Sequence, residues 1–238
     1  MTEERSRTRI MTNIIECKKV SRTYNPGVNE VHALQHVDLK VNDGEFVCLS
    51  GPSGSGKSTL LNAIGALDTE ISGEVLFCGD KLADMNKAQL SDIRLHQMGF
   101  VFQAYNLIPV LSAQENVEFI MQLQGVPAKQ RGKLAKDMLA EVGLSGMENR
   151  RPSELSGGQQ QRVAVARAIA SEPKLVLADE PTANLDSSCT KDLIELMLKL
   201  NEHHGITIVT ASHDPAVIDI AKRNVQLKDG IVINDSGV

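Results

Sequence analysis

Residues 51–58 read Gly51-Pro52-Ser53-Gly54-Ser55-Gly56-Lys57-Ser58, with glycines spaced ahead of a lysine and a hydroxyl. Glycines let a backbone wrap close to a polyphosphate, so that successive N–H groups face its oxygens. Lys57 then supplies a point charge for the β- and γ-phosphates, Ser58 an oxygen for Mg²⁺, and Thr59 follows on the same turn. A second constellation ends the apolar run Leu175-Val176-Leu177-Ala178 with two carboxylates, Asp179 and Glu180. Asp179 is placed to hold Mg²⁺ through water, and Glu180 to polarise the water that attacks a γ-phosphate. A third, Ser156-Gly157-Gly158-Gln159, opens a helical pattern of small apolar residues. Glycines at a helix N-terminus form another anion cradle, but this one has no lysine and no Mg²⁺ ligand. One γ-phosphate is already held by the first loop, so the second cradle is expected to close over a nucleotide bound to another copy of the chain.

These groups need elements to position them. The short apolar run from Glu45 to Ser50 reads as a buried strand feeding the glycine turn, and residues 58–64 as the helix that follows. The helix N-terminus adds partial positive charge where phosphates would sit. Leu175–Asp179 and Ile206–Ser212 read as further parallel strands whose C-terminal ends meet the ligand crevice of an open α/β sheet. Residues 13–43 read as two antiparallel strands flanking Asn25-Pro26-Gly27, and 73–79 as another β segment, forming a sheet around a base. From about 86 to 170 the pattern turns helical, over 88–97, 113–124, 129–142 and the helix after Ser156. Pro109, Gly125-Val126-Pro127 and Arg151-Pro152 punctuate it. The expected fold is therefore α/β: a phosphate-loop ATPase core with a mostly parallel sheet, an N-terminal antiparallel β subdomain and an inserted helical subdomain. Residues 13–238 are expected to form one such unit behind a disordered tail, 1–12, with Met1 or Met11 as the start. A helix over 191–201 presents Leu193, Ile194, Met197, Leu198 and Leu200 to the sheet.

The phosphate loop, Leu155-Ser156-Gly157-Gly158-Gln159 and Asp179-Glu180, in that order, resemble the nucleotide-binding subunit of ATP-binding-cassette (ABC) machines. The resemblance covers the chain from about Asn13 to the last strand. It implies an ATPase in which two cassettes sandwich two ATPs head to tail. It further implies that Tyr24 stacks on adenine, that Gln103, in Gly99-Phe100-Val101-Phe102-Gln103, stands at the end of a strand and touches Mg²⁺ and the attacking water, that Asp186 signals across the dimer, and that His213 contacts the γ-phosphate. Ala183 departs from the serine or glycine of many relatives. Residues 99–117 and 178–186 resemble the ATPases of lipoprotein-release and macrolide-efflux transporters. That resemblance implies export or extraction of a substrate through a separate integral membrane permease, driven by ATP closure. Tyr105, Leu107, Ile108 and Leu111 then fall either in the core of the helical lobe or where a permease helix docks. Two alternatives stay open: a cell-division-type cassette regulating a cell-wall hydrolase, and a soluble cassette of the iron–sulfur-assembly kind.

Composition agrees. The formal net charge of −5 argues against a nucleic-acid partner. Cys17, Cys48, Cys78 and Cys189 are far apart with no C-x-x-C, as expected of reduced thiols. No apolar run has the length of a membrane span. The expected location is cytoplasmic, peripheral on the inner face of the membrane.

Overall fold

The computed structural model describes residues 13–237 apart from Pro26 and Val28. The segment 1–12, expected as a tail, lies outside these residues, as does the proline of the predicted turn.

Two sheets share the chain. In the first, β1 (Asn13–Tyr24) and β2 (Val31–Asn42) pair antiparallel, with Asn13 opposite Asn42 and Tyr24 opposite Val31. β4 (Ser72–Phe77) adds to β1, and β5 (Asp80–Lys81) to β4, giving the order β2-β1-β4-β5. The second sheet runs β10-β9-β3-β8-β7-β6. Here β3 (Phe46–Ser50), β6 (Met98–Phe102), β7 (Leu175–Asp179), β8 (Thr207–Ser212) and β9 (Arg223–Lys228) pair in parallel; only β10 (Ile231–Asp235) is antiparallel. Every residue of β3 and β8 is buried, as expected of strands covered on both faces.

The register explains why distant motifs meet. Ser50 lies opposite Ser212 and Asp179 opposite Ala211, so β3, β7 and β8 end on one sheet edge. The phosphate loop, Glu180 and His213 all leave from that edge. α1 (Lys57–Ile64) is sandwiched between the sheets, touching β7 and β8 on one side and β1, β2 and β4 on the other. Its buried Leu60, Leu61 and Ile64 join Ile15, Val41, Phe77, Leu177 and Val209 in one apolar core. Burying each such side chain fully stabilises the fold by roughly 1.5–3 kcal/mol. This packing fixes the start of α1 beneath the loop.

The stretch 86–170 holds separate helices and, ahead of Gln103, the strand that the resemblance implied. β6 lies inside it and pairs with β7, Met98 opposite Leu175 and Phe102 opposite Asp179. At Gly99 of this strand an added Cβ would lie 2.2 Å from the Ala168 carbonyl oxygen. Only glycine lets the helix above approach this strand so closely. α2 (Lys87–Gln97) thus precedes the core strand, while α3 (Ala113–Leu123), α4 (Ala128–Glu141) and α5 (Gly157–Ile169) follow it. These three pack on one another through Val117, Met121, Leu139, Val142, Val163 and Val165.

The loop between β6 and α3 is held by buried Asn116. Its Oδ1 accepts from the Ile108 N–H at 2.8 Å, and its Nδ2 faces the Ile108, Leu111 and Ser112 carbonyls at 2.9–3.2 Å. Arg167 on α5 donates to the Tyr105 and Asn106 carbonyls at 2.9 and 2.6 Å. Asn116→Ala strands a buried N–H and several carbonyls, at a cost of roughly 1–3 kcal/mol. A urea titration is expected to show a lower midpoint at unchanged slope; an unmoved midpoint contradicts the anchoring role.

α6 (Ser187–His204) extends past the expected 191–201 at both ends. Asp186 caps its start and Gly205, with a φ of 65°, ends it.

Candidate functional site

At the common edge of β3, β7 and β8 lies a cavity of about 720 Å³. Tyr24, Ser53, Gly54, Gly56, Lys57, Ser58, Thr59, Gln103, Glu180 and His213 line it. Gly51 and Ser55 lie within the same loop, and Asp179 reaches it through a 2.8 Å hydrogen bond from Ser58 Oγ to its Oδ1.

The loop is shaped by its glycines. Gly51, Gly54 and Gly56 have φ of 142°, 80° and 102°, a region that costs a residue with Cβ about 1–2 kcal/mol. A Cβ on Gly51 would lie 2.1 Å from the Leu227 carbonyl oxygen and one on Gly56 2.4 Å from that of Ala33. At Gly54 a Cβ would meet nothing within 4 Å, so backbone faces open space there. The first helical turn leaves its N–H groups without intrahelical acceptors. α2, α3, α5, α6 and α7 (Pro215–Ile220) each have a side-chain cap at this point, from Asn86, Ser112, Ser156, Asp186 and Asp214. Gly56, at the start of α1, has none, and neither has Pro127 at the start of α4. Buried Ser55 Oγ has no hydrogen-bond partner either. The sequence thus leaves a concentration of donors where an anion fits best.

Lys57 is 5% exposed, and its Nζ donates to the Gly51 and Pro52 carbonyls at 2.8 and 3.1 Å. Glu180 Oε1 lies 3.7 Å from Lys57 Nζ and 2.9 Å from His213 Nδ1. Glu180 reaches both because the chain turns left-handed on leaving β7, with φ 45°. That conformation is strained for a residue with Cβ, and such strain gathers at functional sites. Burial pushes the Asp179 carboxyl above its ordinary value, and the neighbouring Glu180 carboxylate adds to this against the Ser58 hydrogen bond. A divalent cation beside it would favour the charged form. The oxygens of Ser58, Asp179 and Gln103 are the hard donors that Mg²⁺ takes.

Tyr24 lines the cavity mouth and donates to Asp68 Oδ2 at 3.1 Å. The Arg22 guanidinium lies over its ring, 4.4 Å from the centroid. The Gln103 carbonyl accepts from Asn184 Nδ2 at 2.9 Å, tying the β6 end to the loop after Glu180.

Ser156, Gly157, Gly158, Gln159 and Asp186 are not among the residues around this cavity. Ser156 Oγ accepts from the Gln159 N–H at 3.3 Å, and Gln159 Oε1 accepts from the Ser156 N–H at 3.0 Å, a reciprocal cap on α5. Asp186 caps α6 by accepting from the Ser188 and Cys189 N–H groups at 3.1 and 2.9 Å and from Ser188 Oγ at 2.7 Å. The Cys189 N–H and the Ser188 hydroxyl draw its carboxyl down to about 2. A depressed carboxyl contributes stability that is complete above its unfolded value, near 4, and is lost as pH falls toward 2. The stability gap between the wild type and Asp186→Asn is therefore expected to narrow over that interval in acid titrations of unfolding; a constant gap contradicts it.

Sequence reading missed the far wall, which comes from Val31, His32, Ala33 and Gln35 of β2 and from Asp229 of the β9–β10 turn. Gln35 Nε2 donates to the Asp229 carbonyl across 194 residues of chain, at 2.9 Å. No local pattern marks such a contact. The cysteines are free: Cys17 and Cys48 are buried and pushed up to about 12, chiefly by burial, so they are poor nucleophiles. No helix among the described residues is long and apolar enough to cross a membrane.

Comparison with known proteins follows the same lines. The sequence profile of the family described as ABC transporter matches residues 34–183. An uncharacterized ABC transporter ATP-binding protein of Thermotoga maritima is 46% identical over 220 residues, covering 92% of this chain and 94% of its own length. The macrolide export ATP-binding/permease protein MacB of Mannheimia succiniciproducens is 42% identical over 224 residues; the match covers 94% of this chain but 35% of that protein. Among solved structures, the dimeric post-hydrolysis state of the ATP-binding cassette MJ0796, bound to ADP and Pi, superposes with a TM-score of 0.85. It is 43% identical, covering 93% of this chain and 97% of that one. With its phosphate-loop α/β fold and this degree of identity, the chain belongs to the ABC transporter family as an ATP-binding, ATP-hydrolysing cassette.

Proposed function

We propose that the chain is the ATPase subunit of a membrane ABC transporter, working as a head-to-tail dimer around two ATPs and driving export or extraction through a separate permease. The observation that carries the catalytic reading is the convergence of Lys57 and His213 on one oxygen of Glu180, beside the Ser58–Asp179 pair. In this reading the loop N–H groups and Lys57 hold the β- and γ-phosphates, and Tyr24 receives the base. Ser58, Asp179 and Gln103 would hold Mg²⁺, which would supply positive charge to offset that of the phosphates. Glu180 orients the attacking water and accepts its proton. His213, which donates from Nδ1 to the Glu180 carboxylate, keeps that oxygen in place and contacts the γ-phosphate. Positioning and charge stabilisation then supply most of the rate.

The location of Ser156–Gln159 away from the cavity around Lys57 supports a role on a partner's nucleotide rather than on the chain's own. The dimer of MJ0796, a Methanocaldococcus jannaschii protein, is solved with ADP and Pi, and the likeness supports the same self-assembly here. The membrane partner is supported by the likeness to the ATP-binding portion of MacB. It is supported also by a second cavity, about 450 Å³, lined by Leu95, Phe100, Phe102, Ile108, Phe119 and Ile120. Of the four residues weighed for docking, Ile108 lines this groove while Leu107 packs on the lobe core.

The deciding experiment is a pull-down of tagged Glu180→Gln chain with ATP from detergent-solubilised cells of the source organism, read by mass spectrometry. Stoichiometric recovery of an integral membrane protein is the expected result. Recovery of soluble partners alone overturns the transporter reading.

A further inference from the structure

At the end of α6 remote from Asp186, two consecutive histidines precede Gly205. Glu141, the last residue of α4, reaches between them. Its Oε1 lies 2.7 Å from His203 Nδ1 and 3.1 Å from His204 Nε2, and its Oε2 lies 3.1 Å from the same His204 nitrogen. The imidazole rings stand 4.8 Å apart, tilted by 46°. Ligand atoms of all three residues fall within 4.8 Å of one another, a convergence of His, Cys, Asp or Glu found once among the described residues. None of the three lines the cavity around Lys57.

A plain reading makes this an ion pair at a helix C-terminus, where positive charge is favoured. The geometry goes further. The two rings turn different nitrogens, Nδ1 and Nε2, toward one carboxylate, although they neighbour each other in sequence. A tetrahedral first-row cation with bonds of about 2.0–2.1 Å spaces its ligands about 3.3 Å apart. The two carboxylate–imidazole separations need to open by about 0.2–0.6 Å, and the two imidazole nitrogens, which lie within 4.8 Å of each other, to close by up to about 1.5 Å, within reach of side chains at helix ends. Two imidazoles and a carboxylate suit Zn²⁺, Ni²⁺ or Cu²⁺ and leave a further position for water. They do not suit Mg²⁺ or Ca²⁺, which take oxygen ligands.

We propose that Glu141, His203 and His204 form a binding site for a divalent transition-metal ion of the Zn²⁺ class. Binding takes the lone pairs of His203 Nδ1 and His204 Nε2, so each ring carries its proton on the other nitrogen and gives up its hydrogen bond to Glu141. The metal thereby joins the C-terminal end of α4, in the helical lobe, to the C-terminal end of α6, on the sheet.

The test is a titration of the nucleotide-free, Mg²⁺-free chain with Co²⁺ alone, followed by its displacement with Zn²⁺. One equivalent is expected, with visible ligand-field bands and no near-ultraviolet thiolate-to-metal band, since no cysteine takes part. Glu141→Gln removes a direct ligand and is expected to weaken Zn²⁺ binding by at least the roughly 10–100-fold that loss of an outer-shell partner costs, and His203→Ala with His204→Ala to abolish it. Zn²⁺ should raise the melting temperature of the wild type and not that of the double variant. The variants' ATP affinity, read alongside, shows that they remain folded. Wild-type chain that binds no Co²⁺ or Zn²⁺ leaves an ion pair only and overturns the proposal. So does binding that survives the double variant or carries the thiolate band.

Discussion

Replacing Glu180 by Gln is expected to leave ATP affinity near the wild-type value while slowing hydrolysis by about 10²–10⁴-fold, the usual contribution of a positioned proton acceptor. The amide has the size and shape of the carboxylate, so the left-handed turn at φ 45° is preserved. Its oxygen can still face Lys57 Nζ and His213 Nδ1, 3.7 and 2.9 Å away in the wild type. What it cannot do is take a proton from water. Ground-state contacts survive and the transition-state contribution is lost, a pattern that lowers kcat rather than raising Kd. In the dimer reading, ATP then stays trapped between two copies. Phosphate release and size-exclusion chromatography with ATP and Mg²⁺ together check this. Turnover within tenfold of wild type removes Glu180 from the role. A variant that elutes as monomer, where the wild type dimerises with a transition-state analogue, removes the sandwich.

Lys57→Ala acts on a different step. Its side chain is 5% exposed and its ammonium donates to the Gly51 and Pro52 carbonyls of the loop. Hydrogen bonds to charged groups contribute about 1.5–3 kcal/mol each, and each 1.4 kcal/mol is about tenfold in affinity. Loss of the phosphate contacts is expected to raise the ATP dissociation constant by about 10–100-fold or more, with turnover falling as a consequence. The loss is not purely electrostatic, because the Gly51 and Pro52 carbonyls lose their donor as well. Calorimetric titration with ATP gives the answer, with Asn116→Ala as a control for general destabilisation. An unchanged affinity contradicts the phosphate-binding role of the lysine.

Much of this molecule was legible as sequence because its decisive features are local. The Gly51–Ser58 loop is specified by backbone conformations that glycine alone adopts cheaply, and by a lysine and a hydroxyl at fixed offsets from a helix start. Leu175–Asp179 reads as a buried parallel strand because its apolar run is unbroken, and such strands are covered on both faces. Ser156 stands where a helix starts because capping chemistry is set within four residues, whereas the cap at Asp186 went unread and its helix was expected to start at 191. Stretches that mix types were harder to read. Met98–Phe102 sits between helical patterns, and its five residues carry too little periodicity to separate strand from helix, so that only the resemblance at Gln103 marked it as a strand.

Only the tertiary structure decided what lies across from these features. The β2 and Asp229 wall of the cavity, Arg22 above Tyr24, and Asn184 holding the Gln103 carbonyl all depend on contacts across many residues. So does the meeting of Glu141 with His203 and His204, 62 and 63 positions apart. The sequence by itself determined which residues could do chemistry, because residue type and short-range spacing limit local conformation. Which of them share a site followed from β3, β7 and β8 ending in register on one edge. That register is set by the burial of whole strands and helices against one another, and no single segment encodes it.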